Sequence, residues 1–461
     1  MKVLAIDIGT SFVKGAILDV GARRIEDVRR VPFPEPVTGL PTAWVEIDPA
    51  AVTGAVDSLI AELGSAAGVC EGVYLCGQMG GVILVDRDAQ PRTNYLSWRD
   101  QRVLESNDSD GSNTFEQVRQ CLTETRLAEL GNELRPGSCT SLLFWLAEHE
   151  PSLLDGASPL SLPAFVVAHL IGKIPAEDAT CAIGSLDLRR GGWHHEAFRA
   201  LGLEGLVWPE VSHSRAAVGE TRIGGRSVPC YAGVGDHQCA LLGVGLGPDE
   251  ISVNVSTGSQ VSRLIDSAAE GPFQVRHYFD GRLLQTITHL PAGRSLDGLV
   301  ALLTEIPRAA GAACGDVWAF VHEQVNAAGP STLAADVSYF SGALGDRGSL
   351  SGMRLENMTV GNLFRAAFES MARNYAECAR RLDPQQSWQR IAFSGGLANR
   401  FEILRTLVLS ELPGPHRLCA DREDTLTGLL ALALAADGQA ESVIAASVAL
   451  RSEATCAAAT S

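Results

Sequence analysis

Four short runs in this sequence put small residues, hydroxyls and carboxylates where an apolar strand would end. Those residue types hold phosphate oxygen and move protons. The first run is Asp7-Ile8-Gly9-Thr10-Ser11, with Lys14 just beyond it. The second, Val255-Ser256-Thr257-Gly258-Ser259, repeats its outline: Thr10 falls on Thr257, and Leu18-Asp19 falls on Ile265-Asp266. A hairpin tipped with Gly, Thr and Ser presents bare backbone N–H groups and hydroxyls to an anion. Two such hairpins, one per half of the chain, predict a clamp on the phosphates of a nucleotide such as ATP. Asp7 at its strand end is placed to hold a hydrated Mg²⁺, because hard cations prefer carboxylate oxygen and retain water. A lone hairpin Asp could equally tether its own turn, and the echo at 254–259 favours phosphate.

The third run, Gly233-Val234-Gly235-Asp236-His237-Gln238, follows a predicted strand at Val228–Ala232 and opens an apolar helix. Asp is a favoured helix N-cap. Beside a phosphate site it is also suited to accept a hydroxyl proton. The fourth, Phe393-Ser394-Gly395-Gly396-Leu397-Ala398-Asn399, is a strand, a double glycine and a helix. Gly395 and Gly396 allow a flat adenosine to approach the backbone, and Asn399 is within a turn of it. Trp193-His194-His195-Glu196 suggests no metal, because neighbouring histidines on a helix point apart and no third ligand is spaced for it. A solvated helix start is the expectation there, and His237 reads as structural or a minor contact.

Positioning these runs takes a layered α/β scaffold. Strand-like Val, Ile and Leu runs alternate with helical patterns throughout. A hairpin is expected over 1–19, a helix over Asp48–Leu63 after Pro49, and strands at Gly72–Cys76 and Val82–Asp86. The polar stretch 104–113 reads as a mobile loop, and 451–461 as a frayed end. With 461 residues, two large domains are the default. Gly243, Gly245, Gly247 and Pro248 draw their boundary, giving 1–244 and 245–461. Apolar residues at 46% and charged ones at 20% suit a folded soluble protein. A net charge of −17 argues against nucleic acid as a partner. No membrane span is expected, since the longest apolar run, Leu426–Ala436, is broken by Gly428. No signal peptide is read at the N-terminus. The eleven scattered cysteines, with no C-x-x-C pair, predict reduced thiols in a cytoplasmic setting.

Taken together, these runs resemble the FGGY family of carbohydrate kinases, built from two actin-like (ribonuclease H-like) ATPase domains around a cleft. The most specific match is Gly348-x-Leu350-x-Gly352-Met353 followed, after residues 354–361, by Asn362-Leu363-x-x-Ala366-Ala367-Phe368-Glu369. Asp7–Lys14, Gly77-Gln78-Met79-x-Gly81, Trp98-x-Asp100-x-Arg102 and Gly235-Asp236 match the N-terminal pattern. The resemblance implies Asp236 as catalytic base, with Asp7 and Asp236 toward Mg²⁺. It implies Gly9, Thr10, Ser11, Lys14, Thr257 and Gly258 on the phosphates, and Gly395, Gly396 and Asn399 on adenosine. Gln78, Met79, Trp98, Asp100 and Arg102 would line a sugar pocket with Asp236.

One position departs: Gly80 stands where the family pattern has histidine, which removes a hydroxyl partner and is expected to leave room. Within the family, three stretches are similar to the sedoheptulokinase branch. They are Val255–Val261, Cys139–Trp145 without a lysine before the tryptophan, and Tyr278–Gly281 with Ala292–Leu302. The expected activity is phosphoryl transfer from ATP to a ketose, sedoheptulose first and a pentulose or polyol second, by a monomer or homodimer. Domain closure would exclude water. A catalytically silent sugar-binding regulator, and a chaperone-like or filament-forming member of the fold, are the rivals from other classes.

Overall fold

A computed structural model describes residues 1–106, 111–213, 215–419 and 423–459, with side chains to residue 452. The two repeated hairpins seed two sheets of one plan. In the first, Lys2–Ile8 pairs antiparallel with Phe12–Asp19 and parallel with Val73–Gly77. In the second, Glu250–Asn254 pairs antiparallel with Ser259–Ile265 and parallel with Arg390–Ser394. Each parallel partner ends in a glycine turn, at Gly77 and at Gly395. The echo read from the hairpins therefore extends to the strands beside them. The hairpins differ in register: Asp7 faces Lys14, whereas Asn254 faces Gln260.

The first sheet has seven strands, in the order Ala217–Ile223, Arg226–Tyr231, Val73–Gly77, Lys2–Ile8, Phe12–Asp19 and Arg24–Pro32. Val234–Gly235 also pairs with Val73–Gly77, which delivers Asp236 next to the end of the first hairpin's sheet. The second sheet has six strands: Gln274–His277, Leu283–Leu290, Ser259–Ile265, Glu250–Asn254, Arg390–Ser394 and His416–Leu418. Central strands such as Leu4–Ile8 are buried throughout, as expected where helices cover both faces.

Two helices, Asp236–Gly243 and Asp424–Ala436, pack against each other in the layer between the sheets. One core cluster joins Val3, Ala5 and Ala16 of the first sheet, Leu264 and Leu284 of the second, and Leu241, Leu426, Leu429 and Leu430 of these helices. Glycine sets their separation. A Cβ at Gly243 would collide with the Asp424 carbonyl, and one at Gly428 with the Cys239 carbonyl. Gly428 thus marks a helix crossing. The expected boundary at Gly243–Pro248 falls in the turn between Asp236–Gly243 and Glu250–Asn254, with core residues drawn from both sides of it.

Local expectations shift by a few residues. The first helix is Pro49–Ala67, and the Asp48 carboxylate accepts the Ala50 N–H at 2.9 Å as its N-cap. The strands run Val73–Gly77, Ile83–Val85 and Arg226–Tyr231. Part of the polar stretch 104–113 lies outside the described residues. Its ends are built, with Ser106 bridged to Asn113 and Asn113 forming a capping box on Thr114–Cys121. The last helix runs to Ala459, beyond the point where fraying was expected, and residues 460–461 lie outside the described residues. His194 is not solvated. It is buried, accepts the Ala197 N–H through Nδ1, and sets Nε2 3.0 Å from Glu129 Oε2. Among the described residues no helix is long and apolar enough to cross a membrane, and the described cysteines are free thiols.

Candidate active site

Asp7 is buried where the two halves meet. Its Oδ2 accepts the Thr425 hydroxyl at 2.7 Å and lies 3.9 Å from Lys14 Nζ, and its Oδ1 receives the Cys76 thiol at 3.6 Å. Thr425 is the second residue of the Asp424–Ala436 helix, so a positive helix end faces Asp7. Burial raises the Asp7 pKa, against the opposing pull of the Thr425 hydroxyl and Lys14. Lys14 is engaged by Glu423 at 2.6 Å, and Arg30 shares that carboxylate at 3.0 Å. Glu423 and Thr425 were not found from sequence. They lie more than four hundred positions away, and nothing in a helix start advertises such a contact.

Asp236 opens its helix behind Gly235, and its Oδ1 accepts the His237 N–H at 2.7 Å. The Thr180 hydroxyl donates to Asp178 Oδ1 at 2.6 Å and accepts the Gly235 N–H at 2.9 Å, which fixes the turn. The Asp236 pKa is pushed up to about 7, first by burial and then by the negative charge of Asp7. Two carboxylates close enough to repel each other are a site short of positive charge. Among the described residues no three metal-ligating side chains cluster.

Gln78 donates to the Gly9 carbonyl at 3.4 Å and buttresses the first hairpin turn. Thr10 is half-buried and Ser11 exposed. In the second hairpin Thr257 and Gly258 are exposed, above a braced base: Ser256 donates to Asn254 Oδ1 at 2.7 Å, and Asn254 Nδ2 to Ser394 Oγ at 3.0 Å. The double-glycine turn docks on that hairpin through Val255 N–H to Ser394 O at 2.8 Å and Leu397 N–H to Val255 O at 3.1 Å. Gly395 sits at φ +91°, and a Cβ there would collide with the Val255 carbonyl. A Cβ at Gly396 would meet nothing within 4 Å. Asn399 donates to the Gly395 carbonyl at 3.2 Å. Thr257, Gly258, Gly395, Gly396 and Asn399 are therefore one continuous surface.

Two residues expected on the sugar pocket are elsewhere. Arg102 and Asp100 are fully buried. Arg102 donates to Asp100 at 2.8 Å and to Glu46 at 2.6 Å, with Trp44 and Trp145 rings 4.0 and 4.9 Å from its guanidinium. Asp100 also accepts the Arg102 backbone N–H at 2.9 Å and the Val45 N–H at 2.8 Å. The pair locks the Trp98 loop from beneath. Trp98 itself is half-buried, with its ring 6.2 Å from His289, and Met79 packs its sulfur over Gly235. Gly80 leaves less room than expected. Its φ is +75°, and a Cβ would stand 3.2 Å from Trp98 Cβ and 3.4 Å from the Gly137 carbonyl. The missing histidine is a backbone requirement as much as an opening.

Opposite Trp98, sequence reading missed a charged wall. Arg276 forks onto Glu133 and donates to His237 Nδ1 at 2.9 Å. Arg135 and His289 adjoin it. No local signal marks these residues, since they come from four separated segments.

The profile of the FGGY family of carbohydrate kinases, N-terminal domain, matches residues 2–243. The chain belongs to that family. Its likeness to curated members is partial. A xylulose kinase of Lactococcus lactis is 25% identical over 315 residues, covering 64% of this chain and 60% of that one. A xylulose kinase of Bacillus subtilis is 25% identical over 265 residues, 53% of this chain and 49% of that one. The chain thus spans about half to three fifths of the length of the curated relatives it matches.

Solved family folds superpose nearly end to end. A gluconate kinase from Lactobacillus acidophilus gives a TM-score of 0.82 at 18% identity, covering 97% of this chain and 92% of that one. A xylulose kinase from Rhodospirillum rubrum gives 0.81 at 20% identity, covering 95% and 91%. The FGGY plan of two actin-like domains is therefore the fold here. One fold with two differently named acceptors leaves the acceptor to the pocket residues.

Proposed function

We propose that this FGGY member transfers the γ-phosphoryl of ATP to a hydroxyl of a small polyhydroxylated acceptor. The observation that carries this reading is Asp236 at a helix start, raised to about 7 by burial and by Asp7, whose own carboxylate lies 3.9 Å from Lys14. A carboxylate titrating near neutrality is matched to general-base work. The acceptor oxygen forms its bond to the γ-phosphorus as the bond to the bridging oxygen breaks. ADP leaves with that electron pair, and Asp236 takes the hydroxyl proton. Lys14 and the amides of Gly9–Ser11 and Thr257–Gly258 stabilise phosphoryl charge. Asp7 and Asp236 fit a hydrated Mg²⁺, which when bound supplies charge neutralisation at the phosphates. Gln78, Met79 and Trp98 line the acceptor side. Free, mostly buried thiols support a reducing, cytoplasmic setting. Of the two ketoses weighed from sequence, relatives named xylulose kinases favour the pentulose over sedoheptulose.

The test is acceptor-dependent ADP release by the full chain over sedoheptulose, xylulose, ribulose, ribitol, glycerol and sugar acids. At least one acceptor is expected to raise ADP release well above the ATP-only background. A flat panel with intact ATP binding would leave the silent regulator.

The adenosine surface has its own test. Gly396→Val is expected to weaken ATP binding while folding normally, because the new side chain enters space the protein leaves open. Unchanged ATP affinity by calorimetry would remove Gly396 from the site. Gly395→Ala, by contrast, is expected to lower stability before binding is considered, from its φ of +91°.

A further inference from the structure

Beside His289, whose ring adjoins Trp98, two guanidiniums, Arg276 and Arg135, stand against the one carboxylate of Glu133, with Asp236 acting on Arg276 from the neighbouring helix start. Arg276 and Glu133 are both buried and balance each other. Arg135 is next to them and has no such partner. Gln274 precedes Arg276 by two residues, so both face one side of the strand Gln274–His277. With its amide turned to suit, Gln274 accepts from the Arg135 guanidinium at 2.6 Å. The Arg135 Nε–H is shielded from water and meets no acceptor. No ion pair reaches Arg135 among the described residues. Arg135 is half-buried, and its Nε–H is the part of the guanidinium withheld from water.

Two neighbours report the same deficit. Arg276 can only donate, so His237 Nδ1 accepts and its proton sits on Nε2. That N–H is also buried without an acceptor. His289 is held neutral, its pKa pushed down to about 4 by burial and then by Arg135, Arg276 and Arg294. Burial and Arg276 likewise lower Arg135, against Glu133. Beside Trp98, Arg99 Nε is a further buried donor with nothing to bond.

We propose that the acceptor is a sugar acid, a polyhydroxylated chain whose carboxylate is bound by Arg135 with the His237 Nε2–H as a second donor, while a hydroxyl is presented to Asp236. This rests on the kinase reading above. A carboxylate is acceptor-only and takes an arginine fork in two parallel bonds. It satisfies the orphaned donors and the unbalanced charge together. A neutral ketose would satisfy the donors and leave the guanidinium without a counter-charge. One unpaired arginine matches a single negative charge better than the nearly double charge of a phosphate ester.

The experiment uses the full chain with ATP and Mg²⁺ in the ADP-release assay. Aldonates and uronates are compared with neutral ketoses, aldoses and polyols of equal length, and with sugar phosphates. An acid is expected to exceed its neutral counterpart in kcat/KM by roughly ten- to a hundredfold, the range a charge-assisted contact commands. Arg135→Gln should raise KM for the acid by a similar factor with little change in kcat, and should narrow the ratio of acid to neutral-sugar kcat/KM. Arg135→Lys should recover part of the loss. Preference for a neutral ketose or a sugar phosphate would overturn the proposal and leave the kinase reading standing. No turnover of any acceptor would overturn both. Should Arg135→Gln fail to fold, the wild-type panel still decides, together with competition: acids, and not their neutral counterparts, should inhibit whichever acceptor is turned over.

Discussion

Asp236→Asn is expected to fold, to bind ATP, and to lose turnover by roughly a hundredfold or more, the scale of a general base. The amide keeps the shape and the His237 N–H contact but cannot take the proton. In the wild type, kcat/KM should rise with pH along an acidic limb with its midpoint near the Asp236 value of about 7. Stability should run the other way. A free aspartate carboxyl titrates at 3.8 and that of Asp236 is raised to about 7 in the folded protein, so between those values the folded state holds a proton the unfolded chain has released. Stability from this group is therefore lost as pH rises through that window, and above it the full penalty of a buried charge remains. Asp236→Asn removes the charge, so at pH 8 the inactive variant should melt at a higher temperature than wild type. A variant within a few-fold of wild-type turnover, or one less stable at pH 8 than at pH 5 to the same degree as wild type, would place the base elsewhere.

Gly428→Val is expected to destabilise the protein by about 3 kcal/mol and to lower turnover with it. A side chain at 428 collides with the Cys239 carbonyl and would stand 2.8 Å from the Cys239 sulfur. The helices Asp236–Gly243 and Asp424–Ala436 would have to separate, and their N-terminal ends carry Asp236 and Thr425. Loss of stability and of catalysis should therefore appear together. Gly54→Ala is the control. Gly54 is exposed inside Pro49–Ala67 and a Cβ there meets nothing, so the change should be neutral or stabilise by up to about 1 kcal/mol. Equal melting temperatures for the two variants would refute the close crossing.

The two repeated hairpins were legible because their residue pattern is local. Apolar strands running into Gly, Thr and Ser need no distant partner to be recognised, and the same holds for Gly235-Asp236 and Gly395-Gly396. The acceptor side was legible only in part. Trp98, Asp100 and Arg102 were read as one run, yet a turn at 98–99 sends Trp98 toward His289 and the other two into an ion pair under Trp44 and Trp145. Motif spacing carries no information about which side of a loop is wet. Glu133, Arg135, Arg276 and His289 were missed for the complementary reason. Each is unremarkable in its own segment, and only the packing of the 131–138 loop against Gln274–His277 gives them a common purpose. Gly80 was read as a deletion of an imidazole, whereas its left-handed backbone makes glycine the residue that fits.

The helix Asp424–Ala436 covers the face of the strand Lys2–Ile8, and Thr425 bonds to Asp7 across 418 positions of chain. Synthesis runs at about 5–20 residues per second, so the first strand waits roughly 20 to 80 seconds for the helix that shelters it. During that interval Val3, Ala5 and Ala16 present an open apolar face at the ribosome. The nascent first half carries that apolar face uncovered until then, and the Asp7 carboxylate gains its Thr425 contact only when one of the last helices is made.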